Sequence, residues 1–429
     1  MPSFISYGKI RGSWGIVGNY PDIYSANIAY NQSTLGIQQL GGQPVLFTNI
    51  PSSFGNDLIR PEQKNEYEIG LETRFFKNRL RFEASYYNAQ IRDQILSLTL
   101  ATTTGASSVL TNIGTLRNKG VELSLTGTPI KTSNFEWEIG VNFSKNINTV
   151  EKLANGATEL LHADYDGNAA QLKSVVGQPM GDIYVHPVAR HSNGQQIVNP
   201  DGLYKLDDKL VLAGNAMPKV VGGIMNSFNF KGITLDVLTD FRFGGYVMPT
   251  GINWMISRGL LEESTKYMDA ASGGLSYYVA NGKGVATTGS AGPAGEKVYN
   301  DGMLLDGVTS AGEKNTNIVS QAYYYWNVYN WGGPQYSSSR YELYVVKNSY
   351  IKLRELTLGY NLSPKMAKKV GAKKLNVSVY GRNLFYFYRT IKDMDAEQLT
   401  AGSRWTQTVN NAGTNPSTRT MGLMVRASF

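Results

Sequence analysis

The chain closes with Met421-Gly422-Leu423-Met424-Val425-Arg426-Ala427-Ser428-Phe429, and this segment decides the fold. Counting back from Phe429, every second residue is apolar, namely Ala427, Val425, Leu423 and Met421. The residues between them are mostly polar or small, so the segment is predicted to be a β-strand with one apolar and one polar face. Such a strand, with an aromatic residue on its apolar face, fits the closing strand of a transmembrane β-barrel. In isolation it fits an edge strand of a soluble β-sandwich equally well.

The same period of two recurs along the whole chain. With the last strand we expect ten strands, the others being at 8–16, 67–75, 80–86, 121–125, 135–143, 233–243 and 375–379 and, less regularly, at 219–230 and 349–362. Their polar faces carry charges of both signs, which fits a watery lumen. Several reach ten or more residues, whereas strands of soluble proteins have about five or six and a tilted membrane-crossing strand needs about nine to eleven. The pattern favours an all-β, transmembrane antiparallel barrel.

The lengths of the connections test this interpretation independently. If the last strand ends at the periplasm, the periplasmic connections lie near 77–79, 128–134, 230–232 and 362–373. All of these are short. The connections on the outer side lie near 18–63, 96–116, 149–218, 245–348 and 387–417, and all of these are long. Short periplasmic turns with long extracellular loops are typical of outer-membrane barrels. We also expect extra strands inside the long segment 149–218, for example at 181–187.

Composition excludes several other classes of protein. Hydrophobic residues make up 41% of the chain and the mean hydropathy is −0.27, and no apolar run is long enough for a membrane-spanning helix. The absence of cysteine excludes a disulfide framework and cysteine-based metal or redox sites. The net charge of +8 comes from scattered Lys and Arg, with the densest patch at 365–374, so we expect no nucleic-acid binding. The 27 tyrosines fit interfacial aromatic girdles, or a Tyr-rich soluble β-protein.

Four segments resemble those of a known family. They are NEYEIGLE at 65–72 followed by FKNRL at 76–80, NIGTLRNKGVE at 112–122, SYIKLRELTLGY at 349–360 and VYGRNLF at 379–385. In this order and spacing they are similar to the C-terminal barrel of SusC/RagA-type TonB-dependent outer-membrane transporters. The resemblance runs from about Tyr7 to Phe429.

The resemblance implies a 22-stranded barrel around a plug domain, in the outer membrane of a Gram-negative bacterium. Residues 1–429 would then be the C-terminal part of the barrel, about its last ten strands, without a signal peptide, the plug or the first half of the barrel. It implies import of oligosaccharides or peptides, captured under a SusD-like surface lipoprotein. TonB, with ExbB and ExbD, would supply the energy through the N-terminal part that this chain lacks. Outer-membrane lipid and the barrel-assembly machinery would be further partners, with Phe429 as the membrane-assembly signal.

The sequence contains no recognisable catalytic set. We find no G-x-S-x-G, P-loop or H-E-x-x-H motif, and so expect neither an enzyme nor a cofactor. The histidines, His162, His186 and His191, all lie in 149–218, where solvated loop histidines are expected rather than metal ligands or general bases. Residues 199–202 and 207–208 keep only a trace of a calcium loop. We therefore expect no metal site.

The sharpest candidate for ligand contact is an aromatic run in the longest outer loop. It comprises Tyr324, Tyr325, Trp326, Tyr329 and Trp331, with Tyr323 and Tyr336 beside them. Flat aromatic side chains in a polar loop can stack on sugar rings through their apolar faces. The alternatives are an interfacial girdle or packing within the loop itself. The lumen charges Glu136, Glu138, Asp240 and Arg242 could likewise contact the plug or the solute, or pair along the wall.

Three functions follow from these observations. The first is SusC-like nutrient import. The second is a truncated structural barrel fragment without transport, and the third is a soluble glycan-binding β-protein. The short connections on one side of the sheet, the long ones on the other and the pattern of the terminal strand favour a membrane barrel over a soluble protein.

Overall fold

A computed structural model describes residues 4–23, 25–27, 31–36, 44–49, 52–100, 102–165, 168–330, 339–397 and 415–429. One sheet of ten antiparallel strands, paired in chain order, dominates this part of the chain. We number its strands β1 (Ile5–Asn19), β2 (Glu62–Phe75), β3 (Leu80–Arg92), β4 (Gly114–Lys131), β5 (Phe135–Leu153), β6 (Val220–Phe230), β7 (Ile233–Phe243), β8 (Tyr350–Asn361), β9 (Lys374–Arg389) and β10 (Thr420–Ser428). The ten predicted strands are thereby confirmed.

The strand register places the apolar residues of neighbouring strands side by side. Leu235 of β7 lies opposite Leu358 of β8, which lies opposite Val379 of β9, which in turn lies opposite Leu423 of β10. A one-residue slip would move these rows to the other face, so the alternation in the sequence fixes the register. The apolar side chains at the centre of these rows remain largely exposed. A continuous exposed apolar face of this kind is what a bilayer covers.

The opposite face of the sheet is polar and concave. Side chains from β5 to β10 line a concavity of about 880 Å³ at one end of the sheet, among them Glu136, Glu138, Asp236, Glu355 and Arg426. The two faces therefore separate an apolar exterior from a charged interior, as in a barrel wall. Within the described residues, β1 and β10 are the outer strands of the sheet, and each has a neighbouring strand on one side only.

The connections alternate in length as the sequence predicts. At one end of the sheet lie the short connections 76–79, 132–134, 231–232 and 362–373, the last of which contains a helix at Pro364–Lys369. At the other end lie 20–61, 93–113, 154–219, 244–349 and 390–419. The tightest turn is Lys231-Gly232, where both residues have positive φ, 49° and 91°. A two-residue turn of this kind matches the right-handed twist of the strands that it joins.

The long connections fold into substructures of their own. The strands are Asn31–Gly36 with Pro44–Asn49; Ser53–Phe54, Ile95–Thr99 and Ser108–Asn112; Glu159–Tyr165, Ala170–Val175, Met180–Val185 and Val211–Asn215; Tyr246–Val247 with Val346–Lys347; and a small closed barrel of Leu275–Ala280, Lys283–Ala286, Val298–Leu304 and Ile318–Ser320. The long connections also contain the helices α1 (Thr250–Ser257) and α2 (Gln321–Val328). The helix at Pro364–Lys369, in the last short connection, is α3. Short 3₁₀ turns occur at Thr102–Thr104, Ala154–Gly156, Glu262–Thr265 and Tyr341–Tyr344. Extra strands within 149–218 are thus confirmed.

The tightest hydrophobic cores lie in these outer connections. Leu172, Ile183, Met248 and Tyr344 are fully buried and belong to one cluster, and Leu203 is buried in a second one. A barrel strand contacts neighbours mainly within its sheet, whereas the loop strands and helices cover each other on several sides. The outer loops are therefore packed domains that can position side chains. None of the described helices is long and apolar enough to cross a membrane.

Candidate functional site

A charged cluster lies on the inner wall of the barrel near its outer-loop end. The strand register brings Asp240 of β7 opposite Lys352 of β8. Arg354, two residues further along β8, is the extra residue of a β-bulge, because Thr239 pairs with Leu353 while Leu238 pairs with Glu355. A bulge re-aims the side chain that it carries. Here Arg354 donates from Nε to Asp240 Oδ2 at 3.2 Å and from Nη1 to Asn383 Oδ1 at 2.8 Å.

A segment of the loop between β9 and β10 completes this cluster. The carboxylate of Glu397 accepts hydrogen bonds from Lys352 Nζ, from Arg354 Nη1 at 2.9 Å and from Tyr350 Oη at 3.2 Å. Lys352 is only 1% exposed, so Glu397 supplies the charge that its ammonium group needs. We call residues 390–397 with this carboxylate the Glu397 latch, since they tie an outer loop to the barrel wall.

The acidic groups of the latch are held in their ionised form. Burial raises the pKa of Asp395, but hydrogen bonds from Ser417 and Tyr386 and from the amide of Glu397 outweigh it and hold the pKa at about 2. Tyr386 Oη donates to Asp395 at 2.6 Å and the Ser417 amide donates at 2.7 Å. Burial also raises the pKa of Glu397, yet the donors on Arg354 and Lys352 lower it below its usual value. The latch is therefore closed by charge at neutral pH.

The predicted aromatic run forms helix α2 and the turn after it. Ser320 caps the helix by accepting a hydrogen bond from the Tyr323 amide at 3.1 Å. Tyr325 is 4% exposed and donates its hydroxyl to the Glu263 carbonyl at 2.8 Å. Its ring stacks on Tyr329 with centroids 5.7 Å apart, and Tyr324 meets it edge-on at 5.3 Å. Burial raises the pKa of both Tyr325 and Tyr329. These three tyrosines pack inside the outer-loop domain.

Trp326 is the most exposed of the described residues in the predicted aromatic run, followed by Tyr323. Its side chain is 48% exposed, and the Arg258 guanidinium carbon lies 3.8 Å from its ring centroid. The same guanidinium lies 5.5 Å from the ring centroid of Trp254, which is 39% exposed. We call Trp254, Arg258 and Trp326 the tryptophan platform. Sequence reasoning missed Trp254 on α1 and Arg258 directly after it, and their spacing of four residues was the available signal. Trp331 and Tyr336 lie outside the described residues.

For one of the three histidines the structure corrects the expectation of a solvated side chain, while His186 and His191 are partly exposed. His162 is buried because it lies on the inner side of strand Glu159–Tyr165, where its Nε2 is 2.8 Å from Ser174 Oγ. Burial lowers its pKa to about 4, so it is neutral at physiological pH. His186 lies between two backbone carbonyl oxygens, those of Asp207 at 2.8 Å and Asn168 at 2.9 Å. His191 packs against the backbone of Gly312.

Residues 199–202 and 207–208, the weak calcium-loop candidate, form backbone turns. Asp201 Oδ1 accepts from the Leu203 amide at 3.0 Å, and Asp207 Oδ1 accepts from the Lys209 amide at 2.9 Å. Within the described ranges, no three His, Asp or Glu side chains converge in a way that could hold a metal ion.

The remaining predicted residues lie on the barrel wall and at its terminal strand. Glu136 and Glu138 face the concavity near the short turns, and Lys131 Nζ lies 2.6 Å from Glu136 Oε1. Arg242 lies opposite Tyr350, next to the charged cluster. Phe429 follows β10 directly and is exposed. Contact of the wall charges with plug or solute, and the assembly role of Phe429, remain predictions.

Comparison with known sequences gives a consistent assignment. Residues 4–193 match a family model described as TonB dependent receptor-like, beta-barrel. The chain is 26% identical over 395 residues to TonB-dependent receptor P3 of Formosa agariphila, covering 89% of this chain and 35% of that protein. It is 25% identical over 452 residues to TonB-dependent receptor P26 of the same organism, covering 98% and 40%. TonB-dependent receptor SusC of Bacteroides thetaiotaomicron is 27% identical over 206 residues, which is 44% of this chain and 20% of that protein.

Solved structures share the fold. The RagAB peptide transporter aligns with a TM-score of 0.64 at 18% identity, covering 100% of this chain and 42% of that one. The RagAB peptide importer in its open-open state aligns with a TM-score of 0.58 at 18% identity, covering 100% and 41%.

The apolar exterior, the charged interior and these matches point to one class of structure, the β-barrel wall of TonB-dependent receptors, which this chain resembles in sequence and in fold. Within this class the chain is similar to SusC in sequence and to the RagAB transporter in fold. The matched family is one of receptors and transporters. The chain spans 35% and 40% of the length of the two Formosa relatives.

Proposed function

We propose that this chain forms part of the barrel wall of a SusC-type, TonB-dependent nutrient importer. The observation that carries the proposal is the ten-stranded sheet itself, with an apolar outer face, a charged concave face, short turns at one end and packed loop domains at the other. This arrangement suits binding and passage of a solute, and its chemistry requires no bond to be broken.

The open sheet supports a larger barrel around these strands. Within a bilayer, an unpaired strand edge leaves backbone N–H and C=O groups without partners, at a cost of several kcal/mol each. β1 and β10 each need a neighbour on their outer side, and the matched relatives are more than twice as long as this chain. We therefore infer that residues 1–429 are the C-terminal part of a 22-stranded barrel, which further strands close around a plug.

The partners follow from the same inference. A SusD-like surface lipoprotein would cover the outer-loop domains, and TonB with ExbB and ExbD would act through the plug-bearing part of the protein. The barrel-assembly machinery would read the terminal strand with Phe429. Similarity to SusC supports these partners.

The solute would be an oligosaccharide or a peptide, and the tryptophan platform is its proposed first contact. Trp326 and Trp254 present partly exposed indole rings at the outer-loop end, and indole faces stack on the apolar faces of sugar rings and on other flat groups. Arg258 holds the two rings through cation–π contacts. Deeper in the lumen, the Glu397 latch ties one outer loop to the wall along which a solute would pass.

The topology behind this proposal can be tested by cysteine labelling, because the chain contains no cysteine. Ser192 lies in an outer connection and Ser363 in a short turn, and both are exposed, so Ser192→Cys and Ser363→Cys are matched changes. In the full-length protein on intact cells, a membrane-impermeant maleimide should label position 192 and leave position 363 unlabelled. Both should react after the outer membrane is permeabilised. Equal labelling of the two positions on intact cells would contradict the proposal.

A further inference from the structure

The positive charge of the chain is concentrated at the short-turn end of the barrel. The connections 76–79, 132–134, 231–232 and 362–373 contain no Asp or Glu. They contain seven basic residues, Lys77, Arg79, Lys231, Lys365, Lys368, Lys369 and Lys373. We call these seven the basic rim. Since the net charge of the whole chain is +8, the rim alone nearly accounts for it.

Most cations of the basic rim are not paired with a negative charge of the described residues. All seven are exposed, and none of them pairs with an Asp or Glu side chain of the described residues. Arg79 donates to the backbone carbonyls of Thr128 and Pro129, and Lys373 Nζ donates at 3.2 Å to a main-chain oxygen of the last residue, Phe429, which is a carboxylate oxygen. Two lysines of the inner wall, Lys131 and Lys352, do have carboxylate partners. Lys373 thus has a partner and also lines the concave inner face, whereas Lys231 and the three lysines of α3 have no carboxylate partner among the described residues.

Apolar groups surround the same rim. Phe76, Phe230, Met366 and Val370 lie in or next to the short connections and are all largely exposed. Lys231 Nζ lies 5.4 Å from the ring centroid of Phe230. Aromatic and aliphatic side chains beside long cations are typical of the level at which lipid headgroups meet the hydrocarbon layer.

An apolar groove leads up to this rim on the outer face of the sheet. It has a volume of about 400 Å³ and is lined mainly by Ile233, Leu358, Tyr360, Val377 and Val379. One end of the groove reaches the Lys231-Gly232 turn. Asn361, which follows the groove residue Tyr360, donates its amide to the Gly232 carbonyl at 2.8 Å. Helix α3, with its three lysines, begins three residues after Asn361. A hydrocarbon-lined groove thus ends next to cations without partners.

We propose that the basic rim is a binding site for an anionic phospholipid. One acyl chain lies in the groove over β7, β8 and β9, and the phosphate is met by Lys231 and by the lysines of α3. Clusters of basic side chains at a membrane surface attract anionic headgroups over a Debye length. The groove requires acyl chains, so the ligand is a lipid and not free phosphate. The inference rests on the proposed membrane placement, which puts this rim at the inner leaflet.

The test uses the full-length protein, extracted in detergent and stripped of lipid. Native mass spectrometry then measures binding of phosphatidylglycerol, of zwitterionic phosphatidylcholine and of glycerol phosphate as a chain-free headgroup. The triple variant Lys365→Gln/Lys368→Gln/Lys369→Gln removes three rim charges. Its matched control, Lys209→Gln/Lys283→Gln/Lys314→Gln, removes three exposed charges from the outer loops.

We expect phosphatidylglycerol to bind in preference to both other probes. The rim variant should lose about tenfold or more in affinity, given how strongly each basic residue near a membrane attracts anionic lipid, and the control variant should stay within about twofold. Equal affinity of the two variants, equal binding of phosphatidylcholine, or binding of glycerol phosphate as tight as the lipid would each overturn the proposal. This readout is independent of transport, so cysteine labelling can succeed while the lipid site fails.

Discussion

Glu397 shows how a single carboxylate organises the outer end of the barrel. It neutralises Lys352, which is almost fully buried, and Arg354, which it shares with Asp240. Removing one partner of a buried ion pair leaves the other charge uncompensated, which costs about 3 to 5 kcal/mol in buried sites. Arg354 would keep Asp240 as its partner, whereas Lys352 would keep only the Ser417 hydroxyl at 3.3 Å as a hydrogen-bond partner among the described residues, so most of the cost falls on Lys352.

We predict that Glu397→Gln opens the latch. The neutral amide cannot hold Lys352 as an ion pair, so segment 390–397 should exchange its backbone amides at least about tenfold faster, as measured by hydrogen exchange and mass spectrometry. Glu313→Gln is the control, because Glu313 is exposed in the outer loops and forms no ion pair among the described residues. Unchanged exchange in the Glu397 variant would show that other contacts hold this segment.

The latch should also respond to pH in a defined direction. The pKa values of Asp395 and Glu397 are lowered in the folded protein, and a group with a depressed pKa stabilises the fold above its unfolded pKa. That stabilisation is lost as the pH falls through the folded value, about 2 for Asp395. Exchange of 390–397, corrected for intrinsic rates, should stay constant from neutral pH to about pH 5 and rise below about pH 4. A transition near pH 6 to 7 would contradict this assignment.

Trp326 and Tyr325 are neighbours in the sequence with opposite expected roles. Tyr325→Ala removes a buried ring and should cost about 3 to 5 kcal/mol of unfolding free energy. Trp326→Ala should cost less than about 1 kcal/mol, because the side chain is half exposed. It should nevertheless weaken binding of a defined panel of neutral oligosaccharides and short peptides, measured by calorimetry. Tyr20→Ala, another exposed aromatic, is the control, and equal binding by both variants would remove Trp326 from the site.

The run of aromatics was visible in the sequence, but its division into buried and exposed members was not. Tyr325 is buried by groups far away in the chain, including the Glu263 carbonyl, and Tyr329 stacks on Tyr344. The tryptophan platform likewise joins residues from two helices that only the tertiary fold brings together. The sequence shows which side chains are aromatic, but packing against distant parts of the chain determines which of them stay accessible.

Among the elements, the two-residue turn between β6 and β7 depends most clearly on one residue. Gly232 has a φ of 91°, and an added Cβ would lie 3.2 Å from the Asn361 carbonyl oxygen. We predict that Gly232→Ala lowers the unfolding free energy by about 1 to 2 kcal/mol, measured by urea titration in detergent. Gly12→Ala is the control, because nothing lies within 4 Å of a Cβ at that position of β1. Equal stabilities would show that the turn is not strained by alanine.

The strands of the sheet were predictable because each has one apolar and one polar face. The predicted strands end where this alternation ends. For example, 135–143 was predicted, but β5 continues through a mostly polar stretch to Leu153. The four-stranded loop sheet was predicted only in part, because strand Met180–Val185 is buried on both faces and has no alternation. Its burial also explains the misjudged His162, which a solvated loop would have left exposed.

The whole molecule combines two parts that are stabilised by different interactions. The sheet is stabilised by its ladder of strand pairs and by the lipid that its outer face requires, whereas the outer loops have their own hydrophobic cores. Among the described residues, β1 and β10 each pair with a strand on one side only, and the two Formosa relatives are more than twice as long as this chain. We therefore infer that these strands work within a larger importer and not alone.

The most direct test of that claim is the mass and composition of the native complex purified from outer membranes through this chain. We predict a complex that contains a plug domain, either in the same polypeptide or in a partner, together with a SusD-like lipoprotein. Recovery of these 429 residues alone, as a folded barrel or as aggregate, would contradict it. The chain would then be a structural barrel fragment without transport.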